Sequence, residues 1–324
     1  MHRDKIATIF GGTGFLGRQI VRELAAQGVT VKVATRVPER AYFLKPCGSV
    51  GQVVAVPCDY SNAGNVHDAV KGSDFVINCI GILYEKGKRS TFQRAHVDVP
   101  AMIAKACADE NVARFVHVSA LGCDTGASRY AKTKLDGEKA VLSNYAKATI
   151  LRPSVMFGED DHFFNKFAEM SRYVPFLPLI GGGKTKFHPV FVGDVADAAL
   201  RALSDNSRQY QGKVYQLGGP AVLDFKDIYA VLFKHTGRER RLVSVPFALA
   251  KFQARFLSLL SWLILAQQLL TPDQVESLKT DNVVEKGALG FGTFGIEPKS
   301  MDLILPRYLG QYKSGGRFSK LKAA

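Results

Sequence analysis

The sequence predicts an α/β fold, a doubly wound parallel sheet followed by a smaller, mostly helical C-terminal region. Three observations predict it. Short runs rich in β-formers alternate with helix-spaced segments through the first half of the chain. A glycine-rich loop joins the first run to the first helix. No hairpin signal separates the runs, so each strand returns to the sheet by a crossover, which makes neighbours parallel.

The elements follow in order. "KIATIF" (5–10) is the first strand, and "RQIVRELAAQG" (18–28) is a helix closed by Gly28. Further strands are expected at 30–36, 53–60, 74–83, 114–122 and 147–158. Helices are expected at 65–73, at 96–112 and from Tyr130 onward. Beyond residue 158 the pattern loosens. Residues 160–189, aromatic and broken by Pro and Gly, are expected to cross the mouth of the fold. A strand-like segment feeds a helix over 188–205, and a late strand is expected at 213–220.

The chain has 324 residues and is 47% hydrophobic, enough for one substantial core or for a large domain plus a small one. Lys+Arg exceed Asp+Glu by 43 to 29, a net charge of +14. That excess favours an anionic partner such as a phosphorylated ligand, an acidic protein face or anionic lipid. The basic residues are dispersed and no aromatic-interleaved motif accompanies them, which argues against nucleic acid. Five cysteines without a CxxC predict buried thiols in a reduced compartment. Seven scattered histidines predict no metal site. The N-terminus runs straight into a strand, so no signal or transit peptide is expected, and no run of ~18 apolar residues predicts a spanning helix.

"GGTGFLG" follows the first strand and opens the first helix: Gly11, Gly12, Thr13, Gly14, Phe15, Leu16 and Gly17. Its glycines allow a tight turn, close approach of backbone to a pyrophosphate, and close helix–strand packing. The helix N-terminus offers free N–H groups to the phosphates. This is a Rossmann-type arrangement. It assigns 1–217 to a dinucleotide-binding domain, with 160–189 covering the cleft, and 218–324 to a smaller domain with an apolar helix at 256–270 and a basic tail. An NAD site wants a carboxylate at the end of the second strand; here Thr35 and Arg36 stand there, with Arg40 close behind. Arginine suits a 2′-phosphate, so NADPH is expected over NADH. Asp59 is placed to meet the adenine or to cap the next helix. Asn78 and Gly81 fit the cofactor-facing end of the fourth strand.

Ser119 ends the fifth strand, and Tyr130 and Lys134 lie on the helix after it. The spacing puts both side chains on one helix face. In a reductase the phenol passes a proton to a carbonyl, the ammonium lowers the phenol pKa and holds the ribose, and the hydroxyl orients the carbonyl. The same residues can also serve as a nucleotide clamp without turnover. His162, Phe163 and Phe164 could face the nicotinamide, but are expected to pack beside the cleft. Asp194 is expected to cap a helix, and Lys184 and Lys186 to contact a substrate phosphate or solvent.

These segments resemble the short-chain dehydrogenase/reductase superfamily in its atypical, extended branch. "NCIGILYEKGKRSTFQRAHVDVP", "FGEDDHFFNKFA", "HPVFVGDVADA" and "LLTPDQVESLKTDNVV" are similar, more narrowly, to the nucleotide-binding accessory subunit of respiratory complex I (NADH:ubiquinone oxidoreductase) and its bacterial relatives. The resemblance covers about residues 5–310. It implies an NADPH held structurally in the peripheral arm near the membrane. It implies Gly11, Gly14 and Gly17 at the pyrophosphate, Arg36 at the 2′-phosphate, and Tyr130 and Lys134 at the nicotinamide ribose, in a cleft that also takes in Pro153. If active, such a chain would be an NADP-dependent oxidoreductase; the alternative is a free-standing reductase or epimerase on a hydrophobic substrate, in quinone or isoprenoid metabolism. Ser119 precedes Tyr130 by only eleven residues, a shorter loop than in many sugar-nucleotide epimerases. Without a presequence, the cytoplasmic face of a bacterial inner membrane is expected, or the matrix face for a processed mitochondrial chain.

From Phe256 to Leu270 the chain is nearly all apolar, led in by Lys251 and Arg255. About 15 residues make roughly 22 Å of helix, short of a ~30 Å hydrocarbon core. Residues 247–270 could be core, or could meet an anionic membrane surface or a hydrophobic subunit.

Overall fold

The computed structural model describes residues 5–205, 207–264 and 270–316, with the side chains of 256–264 outside that description. The first half alternates as β1 (Ile6–Phe10), α1 (Phe15–Ala26), β2 (Thr30–Thr35), β3 (Val53–Pro57), α2 (Ala63–Val70), β4 (Phe75–Asn78), α3 (Val99–Asp109), β5 (Arg114–Val118), α4 (Arg129–Asn144) and β6 (Thr149–Pro153). Then come β7 (Met156–Phe157), α5 (Phe164–Tyr173), β8 (Phe176–Ile180), β9 (Val190–Phe191), α6 (Val192–Ser204) and β10 (Val214–Leu217). The C-terminal region holds α7 (Phe225–Thr236), β11 (Arg241–Val245), α8 (Phe247–Ile264) and α9 (Pro272–Ser277).

Among the described residues seven parallel strands form the central sheet, in the order β10-β6-β5-β4-β1-β2-β3. β1 and β6 are buried on both faces because helices cover both, as a parallel sheet requires. One face buries α1 through Leu16, Ile20, Val21 and Leu24, a helical stripe that packs with α6. The other face buries α2, α3 and Val141 of α4. The chain leaves β1 for β2 and β3, then crosses back to β4 on the other side of β1. The order reverses there, and the crevice opens at the C-terminal ends of β1 and β4.

A separate aromatic core joins α5, β8 and α7: Phe164, Leu177, Phe187, Phe225 and Tyr229 are all buried in it. Residues 163–187 therefore pack with the chain after 224. β8 and β11 pair in parallel across more than sixty residues, Phe176 beside Arg241.

Several elements differ from expectation. β4 stops at Asn78, because the Ile80 N–H bonds the Asn78 side chain rather than a neighbouring strand. The strand expected over 147–158 divides into β6 and β7 at Ser154, whose N–H still bonds the Leu217 carbonyl while its Oγ donates to Asn282 Oδ1. A π-type turn at Arg94–Asp98 precedes α3, and a 3-10 helix fills Pro38–Cys47. The apolar helix runs Phe247–Ile264, while 265–269 of the span expected at 256–270, and the basic tail from 317, lie outside the described residues. No described helix is long and apolar enough to cross a membrane.

All five cysteines are free. Burial pushes the Cys58 thiol up to about 11, and the Cys79 and Cys123 thiols up to about 12.

Candidate functional site

The glycine loop closes against the crevice. Gly11 takes a φ of +76°, and a Cβ there would sit 3.0 Å from the Cys79 carbonyl carbon and the Ile80 nitrogen. The Gly14 N–H donates to the Gly11 carbonyl at 3.0 Å, which makes the turn. A Cβ on Gly17 would lie 2.2 Å from that same carbonyl oxygen, so α1 packs too close for any side chain. Gly14 caps α1 with no side-chain partner, and the first N–H groups of α1 remain available to an anion. Gly12 and Leu16 are buried, Thr13 and Phe15 half-buried. Phe15 packs under Gly158, and Arg18 pairs with Asp160 at 2.7 Å, which fastens α1 to the 158–161 loop.

Beyond β2, Arg36 is exposed and lies over the Tyr60 ring at 5.7 Å. Tyr60 is itself fixed, its hydroxyl donating to the Ala34 carbonyl at 2.7 Å. Arg40 is exposed in the 3-10 helix. Asp59 does not cap α2; Asn62 does, accepting from the Gly64 and Asn65 N–H groups. Asp59 instead accepts from the N–H and hydroxyl of Ser61, which hold its carboxyl below the usual range, with Arg94 and Arg89 nearby.

Asn78 is fully buried at the end of β4. Its Oδ1 accepts from the Ile80 N–H at 3.0 Å, and its amide donates to His117 Nδ1 at 3.0 Å. That bond leaves the proton on His117 Nε2, which has no partner among the described atoms. Gly81 brings bare backbone to Lys134; a Cβ there would be 4.0 Å from Nζ. Pro153 is buried at the end of β6, and its carbonyl accepts from the Leu121 N–H at 3.0 Å.

Lys134 is 3% exposed, and its Nζ donates to the Val118 carbonyl at 2.9 Å, next to Ser119. Burial lowers its pKa to about 8, against the pull of Glu138, Cys123 and Cys79. Tyr130 packs edge-on against His96 at 5.2 Å and Phe92 at 6.0 Å. Burial pushes its phenol up to about 12, and Cys123 pushes the same way. Burial brings His96 down to about 3, so it is neutral, accepting from the Ile82 N–H at Nε2 and bonding Thr133 at Nδ1. The Ser119 hydroxyl points to Cys123 Sγ at 3.9 Å. Cys123 donates to Glu138 at 3.3 Å, and Arg152 grips Glu138 with two bonds at 2.9 and 2.8 Å and also pairs with Asp124. A buried ion pair thus lies behind the serine.

The C-terminal region closes over this end. Asn282 donates to the Leu121 carbonyl at 2.7 Å and accepts from Ser154 at 2.6 Å. Asp281 accepts from the Lys186 N–H, Glu285 exchanges two bonds with Gln216, and the Asp273 carboxylate reaches the start of α4. Between α9 and α4 remains an open cavity of about 590 Å³, lined by Tyr84, Phe92, Arg129, Lys251, Pro272 and Lys279.

The glycine loop, Asn78, Gly81, Ser119, Tyr130 and Lys134 converge on one crevice, with Arg36 and Asp59 at its rim. His162 is exposed, while Phe163 and Phe164 pack in the aromatic core with Phe167 and Phe225. Asp194 is not a cap: it is fully buried, and both the N–H and the ammonium of Lys299 bind it, at 2.7 and 2.8 Å. Lys184 and Lys186 are exposed. Sequence reading missed His96, His117, Glu138, Arg152, Asp273 and Asn282. Glu138 alone carried a local signal, a carboxylate one helical turn beyond Lys134.

The model of the NAD dependent epimerase/dehydratase family matches residues 7–218. A mitochondrial NADH dehydrogenase [ubiquinone] 1 alpha subcomplex subunit 9 from Arabidopsis thaliana is 34% identical over 96% of this chain and 79% of its own. The mitochondrial NADH-ubiquinone oxidoreductase 40 kDa subunit of Neurospora crassa is 32% identical over 96% of this chain and 80% of its own. The solved NADPH complex of a quinone oxidoreductase from Escherichia coli shares the fold at a TM-score of 0.72 and 19% identity, covering 94% of this chain and 98% of that one.

Proposed function

We propose, from the premise that this chain belongs to the NAD dependent epimerase/dehydratase family and is a relative of mitochondrial complex I subunits, that it is an NADPH-binding, non-catalytic accessory subunit of a complex I-type NADH:quinone oxidoreductase. The observation that carries the partner is identity spread over 96% of the chain, C-terminal region included. In this reading Gly11, Gly14 and Gly17 and the N-terminus of α1 hold the pyrophosphate. Arg36, stacked on Tyr60 where an NAD site would place a carboxylate, holds the 2′-phosphate. Tyr130 and Lys134 hold the nicotinamide ribose. A bound nucleotide would supply hydride chemistry, but two features favour a clamp. The Tyr130 phenol stands at about 12, above its ordinary value, where a working acid/base wants it lowered. The Ser119 hydroxyl already has the Cys123 thiol as a hydrogen-bond partner, at 3.9 Å.

The outer face of α8 offers Leu249 and Phe252, 48% and 69% exposed, beside Lys251 and Arg255. That face suits a hydrophobic subunit or an anionic membrane surface at the foot of the peripheral arm. The decisive experiment solubilises membranes gently, runs the intact complexes, and assays nucleotide released on denaturation. Co-migration with the NADH:quinone oxidoreductase and stoichiometric NADPH are expected. A protein that runs alone with freely exchanging nucleotide sinks this reading.

The cavity of about 590 Å³ against Phe92, which packs on Tyr130, favours one second reading: a free-standing NADPH-dependent reductase or epimerase with room for a substrate beside the phenol. Turnover abolished in Tyr130→Phe would establish it.

A further inference from the structure

Asp273 sits between the clamp and the partner-facing helix. Its Oδ1 accepts from the Arg129 N–H at 2.7 Å and its Oδ2 from the Tyr130 N–H at 3.0 Å. These are the first two N–H groups of α4, which a helix leaves without an internal partner. Ser128 Oγ takes the third, from Ala131, at 3.1 Å. A negative charge there also meets the positive end of the helix. The helix completed in this way carries Tyr130 in its first turn and Lys134 in its second, yet the carboxylate arrives from 143 positions downstream.

The other side of α9 packs on α8. Val275 is fully buried against Ala250 and Ala254, whose small side chains let the two helices close up. Glu276 adds a salt bridge to Lys251 at 3.2 Å. A capping box, Thr271 with Gln274, and a proline at the first turn fix the start of α9 so that Asp273 points at α4. One short helix therefore touches the clamp helix through a carboxylate and the docking helix through a buried valine.

We propose that Asp273 is a positioning residue that couples the two: nucleotide held by Tyr130 and Lys134, and an ordered α8, stabilise each other through this carboxylate. The coupling rests on the clamp reading above. It makes occupancy of the crevice a determinant of how firmly α8 holds its docking face. By reciprocity, a docked α8 tightens the nucleotide by the same factor.

Hydrogen exchange on the full chain tests this, with NADPH as the probe and its affinity measured separately by titration. NADPH is expected to slow exchange in 247–255 and 271–278 by ~5-fold or more, the lower end of ordinary coupling. Asp273→Asn, an isosteric change, is expected to weaken NADPH by about the coupling factor and, at saturating NADPH, to reduce the effect on 247–255 to under ~2-fold. Ala254→Leu wedges α8 away from Val275 without touching α4, and is expected to weaken NADPH by the wild-type coupling factor. Full protection of α8 in Asp273→Asn overturns the proposal. So does unchanged NADPH affinity in Ala254→Leu. If the wild type does not bind NADPH, the cofactor reading fails and NADH becomes the probe; no protection of α8 by either nucleotide overturns the coupling as well.

Discussion

From β1 to β6 the chain is held by backbone ladders and buried aliphatic side chains, whereas residues 271–285 are held by side chains reaching distant backbone. Gly17 leaves no room for a methyl group against Gly11, and Ile9, Ile77 and Val116 are wholly enclosed. By contrast Asp273, Asp281 and Asn282 fasten residues 271–285 through polar contacts to α4, Lys186, Leu121 and Ser154. The first kind of structure is all-or-none and fixes the nucleotide site. The second can open locally at small free-energy cost while the sheet stays intact. Under the proposed function, a subunit that holds a cofactor rigidly and still adapts to a large partner gains from having both.

The largest expected effect lies inside the nucleotide half. Arg152→Met strands Glu138 at 3% exposure without its cation, and should cost about 3–5 kcal/mol in urea unfolding. A loss under ~1 kcal/mol would mean that the pair is not the lock it resembles. Next comes the strap. Asn282→Ala leaves the Leu121 carbonyl without that donor and takes the side-chain acceptor from Ser154, and should cost about 1–3 kcal/mol. Its signature is faster hydrogen exchange over 271–285 with the sheet unchanged; an equal rise in both halves would erase the distinction between them.

The smallest effect is a pH dependence. Lys134 titrates at about 8 in the free protein, below its ordinary value, so its charged form is complete only under that pH. A nucleotide that uses the ammonium must bring back a proton above it. Affinity should therefore be level below about pH 8 and weaken above it by up to ~10-fold per pH unit. Lys134→Met should bind more weakly at neutral pH and show no such limb. A wild-type profile flat to pH 9.5 would remove Lys134 from the clamp.

Much of the nucleotide half was legible in the sequence because its signals are local. A strand, a glycine turn and a helix lie within residues 6–26, and Tyr130 and Lys134 share one helix face through their spacing alone. What escaped was set by distance. Nothing near Asp273 points to α4, and nothing in "RLVSV" points to its parallel partner "FLPLI". Asp194 and Asp59 were misread for a related reason. Each stands near a helix start, where a cap is the local expectation, but a distant Lys299 claimed one and a nearer Asn62 displaced the other. Pro38 and Pro46 bracket a 3-10 helix that no apolar periodicity announced.

The free thiols have a practical consequence. All five lie at or before Cys123, within the nucleotide half, and three of them are pushed to about 11 or 12. At neutral pH those three stay protonated, poor targets for alkylating agents or oxidants. Labelling of Cys58 and Cys107, which pack beneath the other face of the sheet, then reports opening of the sheet rather than release of the C-terminal strap. The protein thus carries a built-in chemical stopwatch for one half of itself, and a single cysteine introduced beyond residue 271 would give the other half its own.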